Sequence, residues 1–117
     1  MSFSFQPLPQ IGVEALAVLL EQNNGAVQLI DVREPSEVAI AHLPGFSVLS
    51  LSSFSEWSSS IKERFDPTLE TLVICHHGVR SAQMCQWLMS QGFTNVKNII
   101  GGIDAYSLAV DSSVPRY

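Results

Sequence analysis

The run Cys75-His76-His77-Gly78-Val79-Arg80-Ser81 places a thiol, two imidazoles, a glycine, a guanidinium and a hydroxyl within one short stretch. It follows the apolar Thr71-Leu72-Val73-Ile74, which reads as a buried strand. A cysteine leaving a strand, followed by a glycine-containing loop and then a helix, suits nucleophilic chemistry. Such a loop turns successive backbone N–H groups inward as an anion nest. Gly78 supplies backbone angles that other residues resist. A sulfur at the centre of that cradle is expected to be stabilised as the thiolate, the form that attacks electrophiles. Arg80 either faces the pocket as a fixed positive charge or pairs with a carboxylate such as Asp31 or Glu37 to brace the loop. His76 and His77 are expected to rim the pocket and, when protonated, to attract anions. Adjacent histidines rarely point at one ion and no second ligand cluster follows, so a metal site is not indicated.

The surrounding elements must hold this loop at the end of a sheet. Val13, Leu16, Ala17 and Leu20 predict a helix over 11–22, stopped by Asn23-Asn24-Gly25. Residues 27–32 form an apolar, partly β-branched strand, and Arg33-Glu34-Pro35-Ser36-Glu37 turns into a short helix broken by Leu43-Pro44-Gly45. Ser47 to Leu51 reads as another strand. Phe54, Trp57, Ile61 and Phe65 recur at helical spacing, which predicts one serine-capped helix over 52–65. A helix over 81–91 follows the cysteine loop, with Gly92 as its C-terminal cap. Val96 to Ile100 is a last strand, Gly101-Gly102 a turn, and 103–110 a final helix; the tail from Asp111 to Tyr117 carries no core pattern. Strands alternating with helices define an α/β domain with a mostly parallel sheet, whose sites lie beyond the carboxyl ends of the strands. Asp31 sits at such an end. It is expected to hydrogen bond the loop or Arg33 rather than to act as a base, because a preformed thiolate needs none. Glu37 and His42 read as structural, Trp57 as core or as a lid, and Cys85, inside an apolar helix stripe, as core.

Composition bounds the rest. The chain has 117 residues, 46% hydrophobic and 15% charged, enough for one domain with a real core. Six Lys and Arg against eleven Asp and Glu give a net charge of −5, which leaves no broad basic footprint for nucleic acid. Two cysteines are too few for a disulfide scaffold and fit a reducing compartment. No apolar stretch approaches the ~18 residues of a membrane span, and no secretory leader is visible, so a cytoplasmic protein is expected. No stretch marks an exposed interface, and a monomer is expected.

Taken together the motifs carry a resemblance. Cys75 to Ser81 resembles the active-site loop of the rhodanese family of sulfurtransferases. Asp31-Val32-Arg33, Glu37 and His42-Leu43-Pro44-Gly45 resemble the family's first signature; Asn95-Val96 through Gly101-Gly102-Ile103, Ala105 and Tyr106 resemble the second. The match is strongest over 27–106, within a single domain spanning 1–117. The chain departs from the family where Ala41 stands for a frequent Gly and Tyr106 for a frequent Trp. The tail Val114-Pro115-Arg116-Tyr117 looks like one found in some short rhodaneses. The resemblance implies a three-layer α/β/α fold and a Cys75 persulfide formed from thiosulfate or another anionic sulfur donor. A thiophilic acceptor, either a small thiol or a protein, would then take the sulfur. His76, His77, Gly78, Val79, Arg80 and Ser81 would bind substrate, with Asp31 and Arg33 in support, and no metal or organic cofactor is called for. Phosphatases and arsenate reductases of the same fold carry one more residue between cysteine and arginine. The four residues here favour a pocket sized for sulfur. Two other functions compete: a protein-binding module with incidental turnover, and a small phosphatase or arsenate reductase.

Overall fold

The computed structural model describes residues 8–22 and 25–117. The expected helix stop at Asn23-Asn24 lies outside the described residues. Five parallel strands form one sheet in the order β1-β5-β4-β2-β3: β1 (Gln10–Ile11), β2 (Val27–Asp31), β3 (Ser47–Val48), β4 (Glu70–Ile74) and β5 (Val96–Ile99). The central strand β4 pairs with β2 from Val27–Glu70 to Asp31–Ile74. Alternation along the strands sorts the core into two layers. Ile30, Val32, Val73 and Cys75 face one side; Leu29, Leu72 and Ile74 face the other. The first layer is covered by Trp57, Ile61 and the α5 (Val79–Ser90) residues Met84, Cys85 and Leu88. The second is covered by Val13 and Leu16 of α1 (Val13–Gln22) and Ile103 of α6 (Gly102–Ala109). This is the expected three-layer α/β/α architecture with a parallel sheet.

Several elements differ from the sequence expectation. β1 has no counterpart in it: two residues carry no period, and only pairing with β5 creates the strand, flanked by Asn98 N–H to Pro9 O at 2.9 Å and Ile100 N–H to Ile11 O at 2.9 Å. The strand expected over 47–51 is ordered as β3 for two residues only. Beyond it the chain still runs beside the end of β2, with Leu49 N–H to Asp31 O at 2.8 Å. The single helix expected over 52–65 is four short turns: 3₁₀ at Leu51–Ser53, α3 (Phe54–Trp57), 3₁₀ at Ser58–Ser60 and α4 (Ile61–Arg64), with no side-chain serine cap. Serine hydroxyls compete for local backbone groups, as Ser60 Oγ does in donating to Trp57 O at 3.1 Å. The apolar period still located the inward face, since Trp57 and Ile61 are buried. Trp57 is a core residue rather than a lid; its Nε1 donates to Ser50 O at 2.9 Å. Gly92 follows α5 at φ 96°, with Phe93 N–H closing back on Leu88 O at 3.1 Å. α2 (Pro35–Ile40) begins with proline in its first turn, and Glu37 Oε1 accepts the Glu34 N–H at 3.1 Å. The tail does enter the core. Val114 is buried against the α1 and α6 layer, and Ser107 Oγ donates to its carbonyl at 2.6 Å.

Candidate active site

β4 delivers Cys75 to the carboxyl end of the central strand, where the side chain turns into the α5 layer with 1% exposure. The chain then reverses through His76, His77 and Gly78 into α5. Gly78 has φ 101°, and its N–H donates to Cys75 Sγ at 3.0 Å. That left-handed angle is what aims the amide at the sulfur, and a β-branched or bulky residue would resist it. The twelve-residue α5 starts at Val79, so the partial positive charge of its N-terminus lies at the same loop. Ser81 Oγ stands 3.3 Å from Sγ and donates to Asn98 Oδ1 at 2.5 Å; Asn98 Nδ2 in turn donates to Gly78 O at 3.0 Å. Val79 is the opposite case, 69% exposed at the start of the helix.

The loop is also gripped from behind. Ile103 N–H donates to Cys75 O at 2.9 Å and Asp104 N–H to His76 O at 3.2 Å, so the first turn of α6 holds both carbonyls. Gly101 and Gly102 reach that position at φ 75° and 61°, and a Cβ on Gly102 would overlap the Cys75 and His76 carbonyl oxygens. The glycine pair is therefore a close-approach turn that supports the cysteine loop.

Charged groups brace the other flank. Arg80 forms a two-point pair with Glu37, at 2.6 and 2.9 Å, which settles its alternatives in favour of the loop brace. That pairing, more than any other contact, pulls the Glu37 carboxyl down to about 2. Arg33 is fully buried. It grips Asp31 through Nε and Nη2 (3.0 and 2.7 Å) and donates to Ala41 O at 2.7 Å. Its Nη1 donates to Tyr117 Oη at 2.9 Å, and that hydroxyl donates to Glu37 Oε2 at 2.9 Å. The Tyr117 ring stacks on His76 with centroids 4.0 Å apart and planes 8° from parallel. A continuous chain thus runs Asp31, Arg33, Tyr117, Glu37, Arg80. Asp31 meets Arg33 through this network.

The two histidines separate. His77 is on the rim, with its side chain 62% exposed and Nδ1 3.9 Å from Asp104 Oδ2. His76 lies under Tyr117, and its Nε2 is buried without a hydrogen-bond partner among the described residues. Burial first, and the neighbouring His77 second, lower the His76 pKa, so protonation of that ring is disfavoured. Cys85 is fully buried, and desolvation pushes its thiol up to about 12. A cleft of about 620 Å³ lies elsewhere, between α1 and α6 beside Tyr106, and contains none of the cysteine-loop residues.

Sequence reasoning missed Asn98 and Tyr117. Asn98 carried a readable signal, since a polar side chain inside an apolar strand must find partners when buried. Tyr117 carried only the tail's likeness to that of some short rhodaneses, and the tertiary fold alone brings it to the loop.

A parallel sheet with a cysteine loop at its central strand defines a class, and comparison with known proteins agrees. The Rhodanese-like domain family matches residues 14–109, and the chain belongs to that family. It is 47% identical over 114 residues to the Rhodanese-like/PpiC domain-containing protein 12, chloroplastic, of Arabidopsis thaliana, covering 96% of this chain but only 38% of that protein. It is 31% identical over 99 residues to the thiosulfate sulfurtransferase GlpE of Vibrio cholerae, covering 85% of this chain and 88% of that one. Among solved structures, a rhodanese-like domain protein from Staphylococcus aureus superposes with a TM-score of 0.74 at 24% identity, over 94% of this chain and 99% of that one, a likeness of fold. Family and relatives support a sulfurtransferase kind of activity. No helix among the described residues is long and apolar enough to cross a membrane.

Proposed function

We propose that the protein is a sulfurtransferase that carries sulfane sulfur on Cys75, with thiosulfate or another anionic persulfide donor as substrate. The observation that carries this reading is the Gly78 N–H aimed at Cys75 Sγ at 3.0 Å, inside the short loop that opens α5. The Cys75 thiolate attacks the outer sulfur of thiosulfate. A Cys75–sulfur bond forms, the donor's S–S bond breaks, and sulfite leaves with the electron pair. The persulfide's terminal sulfur is then an anion beside the amide and the α5 N-terminus, which suit it electrostatically. An acceptor thiolate, or cyanide in the test tube, attacks that sulfur and returns the thiolate to Cys75. In this reading His77 and Val79 form the exposed entrance, and Arg80, Glu37, Asp31 and Arg33 hold the loop's shape. Neither step uses a metal or organic cofactor. The chain works as a monomer and needs no nucleic acid or membrane. A cytoplasmic setting accords with two free cysteines, although the Arabidopsis relative is named chloroplastic.

Incubation with thiosulfate followed by intact mass measurement should show a gain of one sulfur, absent in Cys75→Ala. If neither thiosulfate nor a small-molecule persulfide loads the wild type, the transferase reading fails and a binding module takes its place. Turnover of an aryl phosphate matching thiosulfate turnover would reverse the argument from loop length.

A further inference from the structure

The Asn98–Ser81–Cys75 contacts contain a proton count that fixes the role of each group. Asn98 Nδ2 faces the Gly78 carbonyl at 3.0 Å, and two carbonyl oxygens cannot face each other there, so the amide's Oδ1 is the atom turned to Ser81. Two oxygens 2.5 Å apart need a proton between them, and only the Ser81 hydroxyl has one to give. Asn98 is 5% exposed and Ser81 fully buried, so water does not compete for either. With its single proton committed, Ser81 Oγ presents lone pairs to Cys75 Sγ at 3.3 Å. That contact is a hydrogen bond only when the sulfur carries the proton.

We propose that Asn98 is a positioning residue of the Cys75 site: by taking the Ser81 proton it makes that hydroxyl an acceptor, and so withholds a second donor from the Cys75 thiolate. The thiolate then has the Gly78 N–H as donor, and gains Ser81 only when the hydroxyl leaves Asn98. The inference builds on Cys75 being the reacting group. Its test reads the sulfur's protonation and not its turnover, so failure here and failure of the transferase reading are distinguishable.

The measurement is the thiolate ultraviolet absorbance near neutral pH. Cys85 is silent there because burial pushes its thiol up to about 12. Asn98→Ala frees the Ser81 proton to turn to sulfur, and the thiolate-to-thiol ratio should rise roughly tenfold, the effect of one hydrogen bond gained by a charged group. Adding Ser81→Ala to that variant should bring the ratio down to that of Ser81→Ala alone, because the donor itself is gone. A merely structural role for Asn98 would lower the melting temperature without this dependence on Ser81. An unchanged ratio in Asn98→Ala, or a gain that persists undiminished in the double variant, overturns the proposal. If Asn98→Ala does not fold, Ser81→Ala alone decides by sign. Loss of an acceptor for the thiol should raise the thiolate fraction, and a fall would show that Ser81 donates to sulfur already.

Discussion

Cys75 and Cys85 share a chain, a core layer and near-complete burial, yet their surroundings differ. Cys75 faces a backbone N–H and a hydroxyl at the loop, whereas desolvation first, and the neighbouring Cys75 second, hold the Cys85 thiol protonated. Cys85→Ala should therefore leave sulfur loading intact and cost about 1–2 kcal/mol of stability through the lost packing, read by urea unfolding alongside the mass assay. Glu37 yields a prediction with a definite sign. Its folded carboxyl lies at about 2 against an ordinary 4.5, so the unfolded chain binds the extra proton between those values. The stabilisation is complete above about pH 4.5 and disappears as the pH falls toward 2. Glu37→Gln should cost about 1–2 kcal/mol at neutral pH, and the gap to wild type should narrow as acid is added. A gap that stays constant down to pH 2 would show that the charge on Glu37 is not what matters.

At the scale of elements, the cysteine loop is held at both ends by backbone: β4 supplies its start, and the first turn of α6 binds the carbonyls of Cys75 and His76. Gly102 makes that approach possible through its missing Cβ and its φ of 61°. Gly102→Ala should cost about 2–4 kcal/mol, from left-handed strain plus the displaced carbonyls. It should also slow sulfur loading more than an equally destabilising change in the remote α1 and α6 layer, such as Leu16→Ala. Equal loading rates for the two variants would mean that the α6 turn does not set the loop's geometry. The elements themselves were legible where their period was long or their apolar run unbroken: α1, β2, β4, α5, β5 and α6 all lie within a few residues of expectation. The serine-rich segment was half legible. Its apolar spacing gave the buried face of Trp57 and Ile61, while the breaks between turns arose from local hydroxyl competition that spacing does not encode. β1 was the least legible, since a two-residue strand exists only through its neighbour, whereas β3 was expected and is only shorter than its apolar pattern suggested.

At the scale of the whole molecule, the tail ties the far end of the chain to the first signature. Val114 enters the core beside α6, Arg116 Nε meets Asp104 Oδ1 at 2.9 Å, and Tyr117 joins Arg33 to Glu37 while covering His76. Tyr117→Phe keeps the ring on His76 but removes the hydroxyl between the two charged groups; about 1 kcal/mol should be lost. Tyr117→Ala loses the stack as well and should melt lower still. Thermal melts indistinguishable from wild type for both variants would show that the tail does not brace the loop in solution.

The candidate site was legible in the sequence to the extent that its chemistry is local. Cysteine, glycine, arginine and serine at that spacing after an apolar strand dictate a loop entering a helix, because strand, turn and helix are each short-range consequences of residue type. The choice among partners was not. Arg80 could reach Asp31 or Glu37 on sequence grounds, and only the packing of α2 beside α5 awarded it to Glu37. Asn98 and Tyr117 lie 17 and 37 residues beyond Ser81 and Arg80 respectively, and no local pattern links them to the loop. Residue types fix what a group can do, whereas directional contacts across long sequence separations depend on how the sheet orders its strands. Here that order sets β5 beside β4, bringing Asn98 to the sulfur, and packs the tail across α6, bringing Tyr117 to Glu37.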